Sequence, residues 1–338
     1  MRIGFNPNKD KELQKSEFIH QVIVPVHIPH QEDYFQDSFK ILKLCMESLF
    51  LTSHAKTYFT IINNGSCQEI VSYLNQLHHE NKIQEVIHTT AIGKINAILK
   101  GLTGHQFELV TISDADVLFL NNWQKATYEV FEAFPKAGVV STTPSSKVLK
   151  LHTSNTIVSH FFSKKLSFTK VVNPNAMQKF ATSIGNLDFY KKVHLSKFLT
   201  VTQNNVKAVV GAGHFVATYK GSVFKVIKEA YSSYALGGTS ELLFLDKPVE
   251  KLGYWRLATT DNHTYHMGNV TEDWMQKELE NLKLSTNDYK ASFVLNNKFE
   301  KKRFLNSNFI LFKLLSYGPV WRLFLRFKGL TKEEAQNY

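Results

Sequence analysis

The chain has 338 residues, with 40 Lys+Arg against 29 Asp+Glu and a formal charge of +11. At 43% hydrophobic and 20% charged residues it has the balance of a globular protein that buries its own core, and wholesale disorder is excluded. Two cysteines, Cys45 and Cys67, exclude a disulfide scaffold and a cysteine-rich zinc site and fit a reducing, cytoplasmic setting.

The polar start MRIGFNPNKDKELQKSEF lacks the apolar core of a signal peptide. No apolar run reaches the roughly 18 residues that a membrane-spanning helix needs. Residues 21–28 (QVIVPVHI) form a β-branched run suited to a buried strand. Asp37 or Ser38 is positioned to cap a helix to about Leu51, with Ile41, Leu42, Cys45 and Leu49 on one face. A strand over 56–63 ends in the turn residues Asn64-Gly65-Ser66. A helix over 68–79, a strand over 83–88, a helix over 94–102 and a strand over 107–113 (FELVTIS) follow. Strands separated by helices predict right-handed crossovers and a parallel sheet covered on both faces. Ligands of such sheets bind beyond the carboxyl ends of the strands, where Asn63-Asn64 and Asp114–Asp116 fall.

The second half is less regular. A helix over 122–134 and a strand over 138–143 are expected, whereas 145–200 gives only a mixed pattern. Residues 207–219 read as strand with a Gly-Ala-Gly interruption. Residues 239–252 read as a helix capped by Thr239 or Ser240, and 254–259 as a strand; helix resumes from Thr271.

Four patterns carry chemistry. Asp114-Ala115-Asp116 closes an apolar strand. Its two carboxylates, on one side of a tight turn, suit a hard divalent cation and, through it, a diphosphate; a solvated strand-end turn has the same string. His266, in Asn262-His263-Thr264-Tyr265-His266-Met267-Gly268-Asn269, offers an imidazole to Mn2+ or a similar ion, although a lone histidine is often structural. Glu241, at the expected helix start Thr239-Ser240-Glu241, reads as a general base or as a carboxylate favoured by the helix dipole. Lys94, opening a helix after Ile92-Gly93, would join N-terminal amides in holding phosphate. The P-loop string is absent: His88 stands where glycine is needed and Ile95 where Ser or Thr is needed. No G-x-G-x-x-G follows the first strand, and Gly211-Ala212-Gly213 lacks a third glycine.

Taken in order, VIVPVHI, TIINNGS, IGKINA, TISDADVLF, VVGAGHF, SELLFLDKPVEKLGYWRL and TYHMGN resemble glycosyltransferase family 2 over about residues 20–270. The resemblance implies an α/β fold of the GT-A type: a Rossmann-like, mostly parallel sheet flanked by helices, followed here by a C-terminal helical segment. It implies a metal-dependent, inverting transfer from a nucleotide-diphosphate sugar to a glycan or lipid-linked acceptor in surface polysaccharide synthesis. A UDP-sugar is the first choice of donor, with GDP- or dTDP-sugars as alternatives. It would put Pro25, Val26, Asn63 and Asn64 around the nucleoside and Lys94 near the nucleotide. Asp114 and Asp116 both match the metal and ribose positions, with Asp116 the better direct metal ligand, and His266 joins them in the shell of Mn2+ or Mg2+. Gly211 and Gly213 match a stretch where sugar or acceptor approaches the backbone. Glu241 matches the base, with Asp246 as the fallback. A sugar-nucleotide pyrophosphorylase would need a Gly-rich, Arg-containing loop after the first strand, and His27-Ile28-Pro29-His30-Gln31 has neither. A non-catalytic, membrane-peripheral scaffold is the other alternative.

The charge is local. Lys298, Lys301, Lys302, Arg303, Lys313, Arg322, Arg326 and Lys328 face only Glu300, so +7 of the +11 lies between Lys298 and Leu330. Three parts are expected: a polar extension (1–19), a catalytic domain (20–270) and a basic amphipathic helical segment (271–338). In the last, Gly318-Pro319 should separate two helices. Apolar helices studded with Lys and Arg either lie on an anionic membrane, at the inner face of the plasma membrane, or pack on the catalytic domain. Nucleic acid is a poorer partner, since no binding motif for it is present.

Overall fold

The computed structural model describes residues 3–12, 16–285 and 307–338. Lys298, Glu300, Lys301, Lys302 and Arg303 lie outside the described residues. Twelve strands are present among the described residues: β1 His20–Val26, β2 Thr57–Asn64, β3 Glu85–Thr89, β4 Leu109–Ser113, β5 Val117–Phe119, β6 Ala137–Ser141, β7 Leu166–Lys170, β8 Lys197–Gln203, β9 Val206–Val210, β10 Val216–Lys220, β11 Trp255–Ala258 and β12 Thr264–His266. Ten of them form one sheet in the order β3-β2-β1-β4-β10-β6-β11-β9-β8-β7. Seven of these ten run in one direction; β10, β9 and β7 run against them. The sheet is therefore mostly parallel in orientation, as expected, with an antiparallel extension β9-β8-β7.

Helices α1 Ser38–Thr52, α2 Gln68–His79, α3 Lys94–Leu102 and α4 Trp123–Ala133 lie in the regular first half. Within it, β1 is buried on both faces, and Pro25 sits where β1 has a single neighbour. Pairing with β4 stops at Ile23, while pairing with β2 continues to Val26. The missing N–H therefore costs no ladder bond on the β4 side. Asp37 does not cap α1 with its side chain. Its carboxylate accepts from the Thr271 amide (2.9 Å) and hydroxyl (2.7 Å) and pins the segment after β12 to the start of α1. The backbone bond from Thr271 leads the interactions that hold the Asp37 carboxyl below its ordinary range.

Residues 145–200 resolve into α5 Ser154–Ser159, β7, α6 Pro174–Ser183, α7 Lys192–Ser196 and β8. The strand-like run 207–219 breaks into β9 and β10 at Gly211-Ala212-Gly213. Gly211 has φ +111°, and a Cβ there would lie 2.7 Å from Val148 Cγ2, so the break packs closely against another loop. The helix expected over 239–252 is present as continuous helical backbone from 240 to 251, with a π-type segment, Leu242–Asp246, that runs directly into α8 Lys247–Lys251. Pro248 offers no N–H and cannot continue a regular ladder through this segment. Ser240 donates its hydroxyl to the Gly237 carbonyl instead of capping a helix.

Three helices follow α9 Asp273–Leu284: α10 Ser307–Leu315, α11 Gly318–Phe327 and α12 Lys332–Asn337. Gly318-Pro319 begins α11, as expected. Trp321, Phe324 and Leu325 are buried in a cluster with Leu166, Leu199 and Trp255, and Phe324 stacks on Phe161 at 5.7 Å. Lys328 is buried and gives its ammonium to the His160 (3.1 Å) and Ser163 (3.0 Å) carbonyls. Part of the basic tail is thus built into the core. The opposite face exposes Ile310, Leu314, Tyr317, Leu323 and Phe327, with Lys313, Arg322 and Arg326 also in solvent. No helix among the described residues is long and apolar enough to cross a membrane.

Candidate active site

The parallel strands β1, β2 and β4 end together, and a cleft of about 300 Å³ opens beyond them, lined by Pro25, Tyr34, Asn64, Lys94, Asp114 and Asp116 among others. Asn64 reaches the cleft while its Oδ1 accepts from the Ile92 amide at 2.8 Å, so the side chain also holds the loop before α3. Asn63 is buried; its Oδ1 accepts from the Ser66 amide (2.9 Å) and its Nδ2 meets His88 Nδ1 at 3.0 Å. Val26 is fully buried in the core, so its side chain does not reach the cleft. The Lys94 amide donates to the Ala235 carbonyl at 2.9 Å. A Cβ on Gly93 would lie 2.9 Å from the Tyr234 carbonyl. Segment 234–236 therefore covers the first turn of α3, and the Lys94 ammonium rather than its amide is what the cleft offers to phosphate.

The second, two-stranded sheet explains how His266 meets the acidic turn. β12 runs antiparallel to β5 with His266 opposite Val117, and the Met267 amide continues the ladder to the Asp116 carbonyl at 2.8 Å. His266 Nε2 then lies 3.4 Å from Asp116 Oδ2. Its Nδ1 lies 2.9 Å from the Ser183 hydroxyl, which itself donates to the Phe180 carbonyl at 2.9 Å. With that hydroxyl proton engaged, Nδ1 donates to the serine and Nε2 is the ring nitrogen that faces Asp116. Phe180 and Phe215 flank the imidazole edge-on at 5.7 and 5.3 Å.

Although the Asp116 side chain is 31% exposed, its Oδ1 is buried without a hydrogen-bond partner among the described residues. Burial pushes the Asp116 carboxyl up to about 6, against the pull of His266. A carboxylate oxygen buried without a donor is costly, and a cation is the group that would offset the cost. No group of three or more His, Cys, Asp or Glu among the described residues is gathered to hold a metal alone. One carboxylate completed by substrate phosphates is a normal arrangement for Mg2+, and Asp116 could supply it; the His266 imidazole is a softer donor that could join the shell of an ion such as Mn2+. Asp114 is differently engaged: its Oδ1 lies 2.6 Å from Lys94 Nζ.

Lys94 also reaches Glu241 Oε1 at 3.2 Å. Burial opposes the Lys94 charge, but Asp114 and Glu241 outweigh it and raise its pKa. The other Glu241 oxygen lies 3.6 Å from His214 Nδ1, and His214 Nε2 lies 2.7 Å from Asp246 Oδ1. Asp246 is 1% exposed and pairs with the fully buried Arg256. Burial raises the Asp246 carboxyl, yet Arg256 and His214 hold it below the ordinary range. A row of alternating acidic and basic side chains thus runs from Asp114 through Lys94 and Glu241 to His214, Asp246 and Arg256. Gly213 has open space where a side chain would be, its nearest neighbour being Ser141 Oγ at 4.0 Å; Gly211 is closed against Val148.

The fold brings together Pro25, Asn64, Lys94, Asp114, Asp116, His266 and Glu241. It buries Val26, Asn63 and Asp246 and packs Gly211 away. Sequence reasoning passed over Ser183, His214 and Arg256. Arg256 had a signal, a lone charge inside the apolar strand WRLA, which demands a buried acid. His214 directly follows the glycine stretch. Ser183 lies in the region without a clear pattern and had none.

The family model described as Glycosyl transferase family 2 matches residues 23–187. No curated protein matches the chain. Among solved structures, the chain is similar to a mannosyltransferase, PcManGT, from Pyrobaculum calidifontis in complex with GDP-Man and Mn2+. The two share 13% identity over 72% of this chain and 55% of that one, with a TM-score of 0.40; this chain thus spans little more than half of that protein. It is also similar to S. aureus TarS 1-349 in complex with UDP-GlcNAc, at 14% identity over 90% of this chain and 79% of that one, with a TM-score of 0.43.

Proposed function

We propose, from the premise that this chain is a family 2 glycosyltransferase over residues 23–187, that it moves a sugar from a nucleotide-diphosphate sugar to a hydroxyl of a glycan or lipid-linked acceptor, with inversion at the anomeric carbon and a divalent cation. The observation that carries this reading is the buried Oδ1 of Asp116, without a partner among the described residues, with His266 Nε2 3.4 Å from the other carboxylate oxygen, at the edge of the cleft. Asp116 and His266 would hold Mn2+ or Mg2+, which when bound supplies positive charge for the leaving diphosphate. Lys94 presents an ammonium to the same phosphates, balanced by Asp114. Pro25, Tyr34 and Asn64 border the nucleoside, of a UDP-sugar first among the donors. Glu241, 30% exposed, removes the proton from the acceptor hydroxyl as its oxygen attacks. Asp246 is the poorer base, because it is buried and already engaged by Arg256 and His214.

Thermal unfolding with UDP, GDP and dTDP, each with and without MnCl2, tests donor binding, since a ligand of the native state raises its stability. One nucleotide is expected to stabilise, and only with Mn2+. Release of nucleoside diphosphate from UDP-glucose, UDP-N-acetylglucosamine and GDP-mannose tests transfer to water. Asp116→Ala should lower that release at least about a hundredfold with an unchanged melting temperature. Full release by Asp116→Ala would sink the cation reading.

The outward face of α10 and α11 suits an anionic bilayer beside a lipid-borne acceptor: Leu323 is 64% and Phe327 59% exposed, next to Arg322 and Arg326. The full chain should sediment with phosphatidylcholine vesicles containing phosphatidylglycerol and not with phosphatidylcholine alone. Arg322→Glu/Arg326→Glu should abolish the difference. Equal recovery from both vesicle types would remove the membrane from this reading.

A further inference from the structure

Among the described residues, His214 makes a hydrogen bond at one ring nitrogen. Its Nε2 lies 2.7 Å from Asp246 Oδ1, and Arg256 keeps that carboxylate ionised, so Nε2 carries a proton and donates it. Nδ1 therefore holds either a lone pair or a second proton. It faces Glu241 Oε2 at 3.6 Å, an ion-pair separation longer than a hydrogen bond. A small torsion of the part-exposed Glu241 side chain closes that gap.

Glu241 touches two cationic candidates, Lys94 and His214. Lys94 is kept protonated by Asp114 and Glu241 and takes no further proton. Were Glu241 to keep the proton it removes from an acceptor, its ion pair with Lys94 would be lost. Passing the proton to Nδ1 restores the Glu241 anion and leaves an imidazolium between two carboxylates. The charged groups around this pair are Lys94 with Asp114 behind it, and Asp246 with Arg256. The His152–Glu250 pair (2.5 Å) lies further out, and His152 also bears on Asp246.

We infer that His214 is a positioning residue and second proton carrier, receiving at Nδ1 the proton that Glu241 draws from the acceptor hydroxyl. This rests on Glu241 being the base. The acceptor O–H bond breaks as its oxygen bonds to the anomeric carbon. The bond from that carbon to phosphate oxygen breaks with its electron pair leaving on the diphosphate, and the proton passes through Glu241 to His214 and then to solvent. The imidazole hydrogen bond to Asp246 sets the ring so that Nδ1 faces the base.

Nitrogen-15 resonances of the histidine rings in the full chain test this without any donor, the His214 signals being those lost in His214→Gln. Nε2 should stay protonated between about pH 5 and pH 9, and Nδ1 should gain its proton at a midpoint that falls by about one pH unit in Glu241→Gln. An Nε2 without a proton, or the same midpoint in both proteins, overturns the relay. With the sugar nucleotides named above and water as acceptor, His214→Gln keeps an amide to bond Asp246 but has no group to titrate. Its kcat should fall about tenfold or more with donor KM unchanged; a kcat equal to that of the unaltered chain also overturns the relay. Full release by Glu241→Gln would instead remove Glu241 as the base, a failure separate from the resonance result.

Discussion

In the core, His20 and His54 share the Tyr128 hydroxyl at 2.7 Å each, and His20 Nε2 meets the Thr111 hydroxyl at 2.7 Å. Beside the cleft, His214 and His266 each face a carboxylate. The core pair is surrounded by hydroxyls and the Gln124 amide, and burial is what lowers both imidazoles, His54 to about 4. The cleft pair sits in a row where acid and base alternate. The same residue type thus serves two ends, and its partners decide which. Neutral hydroxyls hold an imidazole uncharged and rigid, whereas carboxylates give it a site at which a proton or a cation is welcome.

The largest effect that would break this contrast lies in the cleft. Glu241→Gln should lower nucleoside diphosphate release by about a hundredfold to ten-thousandfold with little change in melting temperature, because the carboxylate is part-exposed. A destabilised but active variant would put Glu241 with the structural group instead.

Next is Asp246→Asn. It leaves the Arg256 guanidinium, fully buried, without its counter-charge, so the expected loss is about 3–5 kcal/mol, measured by denaturant titration. A loss under about 1 kcal/mol would mean that Arg256 finds another partner.

The core pair is read by pH. Unfolded histidine takes its proton near 6.5 and folded His54 near 4, so between these values the unfolded chain binds more protons. Stability should fall as pH drops from about 6.5 towards 4, by about 3 kcal/mol from His54 alone. His54→Gln should flatten that slope; an unchanged slope would assign the acid sensitivity elsewhere.

The smallest effect sharpens the His266 side. Ser183→Ala frees Nδ1 from its partner, and the Mn2+ concentration giving half-maximal nucleotide-dependent stabilisation should rise about tenfold to a hundredfold. No rise would mean that the ring is oriented without the serine.

Much of the first half was legible because each element there is governed by local pattern. Helix α2 at 68–79 and helix α3 at 94–102 coincide with the periodicity, and strand ends put Asn64, Asp114 and Asp116 at one edge. Asp37 and Ser240 misled, since the side chains that look like helix caps bond Thr271 and Gly237. The helix over 239–252 is present from 240 to 251, but periodicity does not show that its middle, Leu242–Asp246, is π-type. The basic tail was half legible: its apolar face was evident, but not that Trp321, Phe324 and Lys328 would enter the core.

The residues alone determined the order of elements in the first half, with the strands β1 to β4 and the acid turn at their carboxyl ends, because alternation and turn chemistry act over a few neighbours. The tertiary structure decided the rest of the site. β10 inserts antiparallel between β4 and β6, so its amino end, with His214 and Phe215 just before it, lies at the edge where β4 ends. β12 pairs with β5 and delivers His266 to Asp116 from 150 residues further along the chain. Such meetings depend on the direction and register of strands far apart in sequence, and no local pattern encodes them.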